Sequence, residues 1–130
     1  MNAVDTNILA RYFLNDDAAQ SPTAKNIIEQ GVFVSNSVIL ETVWLLQSRY
    51  EQPAKAIAAA LSALIEMPNV IVTNADALIW TLQRFGDGAD FADMLHLIEA
   101  TGHEAFLTYD RKLAKQAGAN TPIGIRIVGT

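Results

Sequence analysis

The chain has 130 residues, 51% of them hydrophobic and 18% charged, with no cysteine and a formal net charge of -5. This length and apolar content suit one domain with a sizeable core and exclude a disordered chain, while the absence of cysteine excludes a disulfide framework and any thiolate metal site. The acidic balance disfavours non-specific nucleic-acid binding, although a local basic patch or a bound cation reverses the field at a site.

In chain order, Met1 to Val4 reads as a short strand that stops at Asp5. "TNILARYFL" follows with apolar residues at helical spacing and is broken by "NDDAAQSP". Pro22 opens a helix, "PTAKNIIEQG", that Gly31 ends. "VFVS" is a short β-rich run. The stretch "SVILETVWLLQSRYEQ" is helical by the spacing of Ile39, Val43, Leu46 and Tyr50. Pro53 opens the alanine-rich helix "PAKAIAAALSALIE", and "VIVT" is a buried strand. Thr73 and Asp76 have capping-box spacing ahead of the helix "ADALIWTLQRF". After the loop "GDGAD", "FADMLHLIEATG" is helical to Gly102, "AFLT" is a strand, "RKLAKQAG" is a short helix and "IRIV" is a last strand.

Strands alternating with helices predict a parallel sheet covered on both faces, with sites beyond the carboxyl ends of the strands. No repeat, linker or boundary divides the chain, so residues 1–130 read as a single domain. No apolar run approaches the roughly 20 residues of a membrane span. The opening residues also lack a basic segment followed by an apolar signal core. The expectation is a soluble cytoplasmic protein with no membrane association.

Four acids stand in apolar or junction settings: Asp5 after the first strand, Glu41 inside "SVILETVWLL", Asp93 inside "FADMLHLI" and Asp110 after "AFLTY". Singly, Asp5 and Asp110 read as helix caps, Asp93 as support for its helix start and Glu41 as a solvated position. Together they suggest a cleft where carboxylates raise one another's pKa and a divalent cation relieves the repulsion. Oxygen donors suit Mg2+ or Mn2+, and His96 and His103 alone give little support for zinc. His96, within an apolar helix, is expected to be partly buried. A metal-activated water and a neutralised phosphodiester would then do the chemistry.

Thr6 and Asn7 are placed to hydrogen-bond Asp5 or the water on a metal, and Thr108 stands in the same relation to Asp110. Arg11, near Asp5, and Arg111, Lys112 and Lys115, after Asp110, offer phosphate contacts that the global charge hides. Trp44, Trp80 and Phe85 add large apolar surface, from which self-association is expected.

"VDTNILARYF", Glu41 in "SNSVILETVWLL", "DFADMLHLIEA" and "FLTYDRKLAK" resemble the PIN domain, specifically the VapC-type toxin ribonucleases of bacterial type II toxin–antitoxin modules. The resemblance runs from Met1 through the last helix. It implies a three-layer α/β/α sandwich with a central parallel sheet, and a Mg2+- or Mn2+-dependent endoribonuclease. Asp5, Glu41, Asp93 and Asp110 match the catalytic acids, with Asp5, Asp93 and Asp110 taken as metal ligands. Thr6, Asn7 and Thr108 match supporting polar positions, and Asp90 is a further acid near the third position. An RNA substrate, a cognate antitoxin reaching the active site and a homodimer are implied as partners.

Two rivals differ in class. A receiver-like metal-binding signalling domain needs a Lys at a late strand end, where "FLTYD" offers Asp. Aspartyl-phosphate phosphatases want an Asp two residues after Asp5, and that position is Asn7. A catalytically silent interaction module that keeps the fold is the other reading. Asp90 is assigned mainly to capping its helix and Asp93 mainly to metal.

Overall fold

A computed structural model describes residues 1–129. The elements run β1 (Asn2–Ala3), α1 (Thr6–Leu14), α2 (Gln20–Glu29), β2 (Val32–Phe33), α3 (Asn36–Ser48), α4 (Ala54–Glu66), β3 (Val70–Ile71), α5 (Ala75–Gly86), α6 (Phe91–Glu99), β4 (Phe106–Thr108), α7 (Arg111–Ala117) and β5 (Ile125–Ile127). Every strand pairing is parallel, as the alternation of strands and helices requires.

The parallel pairing forms two ladders, ordered β1-β2-β3 and β4-β5. Asn2 lies opposite Val32 and Val32 opposite Val70, while Leu107 lies opposite Arg126. The strands are very short, and single bonds carry the ladder past their ends. Val4 donates its N–H to the Phe33 carbonyl at 3.2 Å, and Val34 donates to that of Ile71 at 2.9 Å.

Local chemistry sets the helix starts. Asp5 Oδ1 accepts the Ile8 N–H at 3.1 Å and opens α1, which ends on Asn15 in the left-handed region (φ 49°). α2 begins two residues before the expected Pro22. Its cap position, Ala19, has no polar side chain, so the Asp17 carboxylate reaches forward to the N–H groups of Ala19 (3.0 Å) and Gln20 (2.7 Å). Those two bonds, with Arg11 nearby, hold the Asp17 carboxyl below its ordinary range against a small opposing effect of burial. Pro22 then sits in the first turn, where its missing N–H costs nothing.

α3 stops at Ser48, short of the periodicity that ran through Tyr50, because Glu51 adopts a positive φ of 53° ahead of Pro53. α5 is capped by Asn74, whose side chain accepts the Ala77 N–H at 3.1 Å, and not by Thr73. Asn is a stronger cap than Thr, and one residue of shift leaves Asp76 in the first turn, where the helix dipole favours it.

The buried side chains form two clusters. The first gathers Leu9, Ile28, Ile39, Val43, Leu61 and Leu82 with neighbours from α1 to α6. The second joins Met94 and Leu97 to Leu113, Ala117 and Ile123. α6 serves both, since Phe91, Leu95 and Ile98 enter the first and Met94 and Leu97 the second. Trp80 packs against both. Phe85 is buried, so neither it nor Trp80 offers the free surface expected of it, whereas Trp44 is 65% exposed. Leu97→Ala should cost about 2–5 kcal/mol, the range for a leucine truncated in a closed core, and loosen α7 with it. Urea denaturation measures the loss.

Candidate functional site

Three of the acids begin as structural groups. Asp5, Asp90 and Asp110 are the residues before α1, α6 and α7, and each turns its Oδ1 onto the helix it precedes. Asp90 Oδ1 accepts the Asp93 N–H at 2.9 Å. Asp110 Oδ1 accepts those of Lys112 (2.9 Å) and Leu113 (3.2 Å). An ionised carboxylate is favoured at such ends by the helix dipole. Each bond uses Oδ1, and no hydrogen bond among the described residues engages the Oδ2 of these three groups.

The loop before α7 is held on both sides. Thr108 Oγ1 accepts the Asp110 N–H at 3.0 Å, in the supporting relation expected of it, and the Thr108 carbonyl accepts the Val128 N–H at 2.9 Å. The parallel expectation at the first strand is not met. Neither Thr6 nor Asn7 hydrogen-bonds the Asp5 side chain among the described residues, because that carboxylate is turned onto the Ile8 N–H.

Asp93 differs from the three caps. It is half-buried and lies four residues before the fully buried Leu97, so the two share a helix face. Its carboxyl holds its proton more tightly than an ordinary aspartate. Loss of solvent is the main cause; the charges of Asp90 and Asp110 add to it, and His96 partly offsets it. Asp93 therefore sits in the field of both Asp90 and Asp110. His96 is exposed, contrary to the expectation of partial burial, because the apolar rows of α6 turn away from it.

Glu41 is exposed on α3, which packs against both α1 and α6. A residue that sequence reasoning passed over fixes this packing. Asn36 Nδ2 donates to Glu99 Oε1 at 2.7 Å, tying the first turn of α3 to the last turn of α6. Asn36 Oδ1 is buried and has no hydrogen-bond partner among the described residues. The signal available in the sequence was two polar residues, Ser35 and Asn36, at a helix start, and Ser35 alone accounts for the cap.

Asp5 lines a cleft of about 610 Å³ with Asn7, Arg11, Gln20 and Thr23, and Asp93 and Asp110 are not among its walls. A larger apolar cavity of about 780 Å³ lies between α1, α2 and α4, away from the acids. Of the expected phosphate contacts, Arg11 is committed to Asp16 at 2.9 Å. Arg111, Lys112 and Lys115 are exposed and enter none of the ion pairs among the described residues.

The donor chemistry is all carboxylate oxygen, which suits a hard divalent cation. Among the described residues, no three acidic or histidine side chains close into an arrangement that could hold a metal ion. The structure thus draws Asp90, Asp93 and Asp110 together and does not place Asp5 or Glu41 within that group.

Two outcomes follow for stability. Asp90→Ala should cost about 0.5–2 kcal/mol, as lost caps do, measured by denaturant melts. Asp93 binds its proton more tightly folded than unfolded, so its ionisation weakens the fold as pH rises from the ordinary value of 3.8 through the raised one. Asp93→Asn should therefore melt higher than the parent at neutral pH without metal, with the gap closing below pH 3.8. A gap that persists in acid would contradict this origin.

The family model for the PIN domain matches residues 3–119. No curated protein matches the chain at a significant level. The match spans β1 through α7 and takes in all the acids described above. The chain belongs to the PIN-domain family, whose members are generally nucleases.

Proposed function

We propose that this PIN domain is a divalent-metal-dependent endoribonuclease and acts as the VapC-type toxin of a type II toxin–antitoxin pair. The observation that carries the reading is the PIN-domain match over residues 3–119, supported by the raised pKa of the Asp93 carboxyl, which has lost solvent and lies in the field of Asp90 and Asp110. A half-buried carboxylate held in the field of two others costs stability, and a bound Mg2+ or Mn2+ would relieve that cost.

By the family resemblance Asp5, Asp93 and Asp110 would hold the cation, with Glu41 of α3 as the fourth acid; Asp5 and Glu41 would have to close on the other two when it binds. When bound, such a cation supplies a water that loses its proton near neutral pH and a positive charge for the phosphate. The chain's own groups do the rest. The caps fix Asp90 and Asp110 in direction through Oδ1. Thr108 fixes the backbone that carries Asp110. Arg111 and Lys112 give a scissile strand cationic contacts beside the acids, against the negative charge of the whole chain.

The antitoxin assignment rests on the family resemblance and on charge. A partner arginine placed among the acids would satisfy them in place of the metal and block the phosphate site. The homodimer rests on Trp44, 65% exposed on α3, a residue type that anchors interfaces.

Incubation of purified protein with structured RNAs should give cleavage in Mg2+ or Mn2+ and none in EDTA. Asp5→Asn, Asp93→Asn and Asp110→Asn should each fall to background. Cleavage that survives thorough chelation would remove the mechanism. Sedimentation at micromolar concentration should show a dimer, which Trp44→Ala weakens by about 30-fold, the loss typical of an anchoring aromatic. A monomer across that range contradicts the assembly.

A further inference from the structure

We infer that Tyr109 is a stacking platform for a base of the RNA strand, a substrate-positioning residue next to Asp110. The inference rests on the nuclease reading above and adds a contact to it. Tyr109 is 81% exposed, the most open large apolar or aromatic side chain in the described structure. Its backbone is nonetheless well held. Thr108, on one side, accepts bonds from Val128 and Asp110, and Asp110, on the other, is bonded into the start of α7.

The ring also has a support. It lies so close to Gly129 that a Cβ there would come within 2.9 Å of Cε1, and Gly129 has a positive φ of 81°. Glycine meets both demands, since it has no Cβ and tolerates that backbone conformation. An aromatic side chain has only two rotatable bonds, so a ring on a held backbone and seated against Gly129 loses little conformational entropy on binding.

Its surroundings select the occupant. Arg111 and Lys112, exposed and in no ion pair among the described residues, follow Asp110 directly. Leu107 and its register partner Arg126 are exposed as well, so the part of β4 leading to Tyr109 is uncovered. An open aromatic ring with exposed cations close by in the chain, next to the acid proposed as catalytic, fits an unpaired base whose phosphates run toward the acids. Stacking tolerates any base, so Tyr109 would position the strand without choosing its sequence.

A random pool of single-stranded RNA with 5-iodouridine in place of uridine tests this. Long-wavelength irradiation joins the iodinated base to an aromatic ring stacked on it, and mass spectrometry of the digest should place the adduct on Tyr109. Tyr109→Phe should keep the adduct and the cleavage kinetics. Tyr109→Leu, which fills the space over Gly129 without a π face, and Tyr109→Ala should lose the adduct. Both should raise KM for the RNA about ten-fold with kcat little changed. If the wild type cleaves RNA in Mn2+ while Tyr109→Leu keeps its KM and the adduct maps elsewhere, the inference fails and the nuclease reading stands. If Tyr109→Ala shifts sedimentation but not KM, the ring serves a protein contact and the inference is overturned. A wild type that neither binds nor cleaves the pool removes both.

Discussion

The double burial of α6 constrains everything around the acids. Phe91, Leu95 and Ile98 lock one side of this helix into the first cluster, and Met94 and Leu97 lock another into the second. A helix packed in two directions can neither roll nor slide without opening a cavity on one side. Asp93 is carried by that helix, on the face of Leu97, so its partial burial follows from the packing. The second cluster also seats Leu113 of α7, which sets Asp110 relative to Asp93. The electrostatic strain on Asp93 is thus a product of apolar packing.

The same carboxylates serve fold and site with different atoms. In Asp90 and Asp110 one oxygen closes a helix start and the other is uncommitted. Neighbouring acids thus differ in what they do for the fold. Asp90 and Asp110 close helix starts, whereas Asp93 destabilises when ionised because it has lost solvent and lies in the field of those two. Charge is handled the same way on the basic side. Arg11 is spent on Asp16, and the cations after Asp110 enter no ion pair among the described residues. A net charge of -5 therefore describes the chain and not the neighbourhood of α7.

Much of this was legible because it is local. Strand and helix order followed from periodicity and from Pro and Gly, and the caps at Asp5, Asp90 and Asp110 followed from an acid placed before an apolar helical run. The misses needed information from across the chain or a choice between near-equal local options. Asn74 displaced Thr73 by one residue, and Asp17 capped α2 from outside the expected start. Whether Trp44 or Phe85 faced solvent depended on which helices packed together, which periodicity within one helix does not reveal. Asn36 gains its role only from Glu99, sixty-three positions away. The seat of Tyr109 against Gly129, twenty positions on, is likewise invisible to local pattern. Sequence reasoning grouped Asp93 and Asp110 with Asp5 and Glu41 and assigned Asp90 to its cap; the field of Asp90 and Asp110 on Asp93 depends on how the helices pack, which no local pattern reveals.

The central claim is that the strained acids around Asp93 form a binding site for a divalent cation. Calorimetric titration of Mn2+ into chelator-stripped protein at neutral pH tests it most directly. The account predicts saturable binding that is lost in both Asp93→Asn and Asp110→Asn and kept in Glu29→Gln, an acid on α2 that contacts Lys25. Binding of equal strength in all of these proteins, or none in the wild type at millimolar Mn2+, would contradict it.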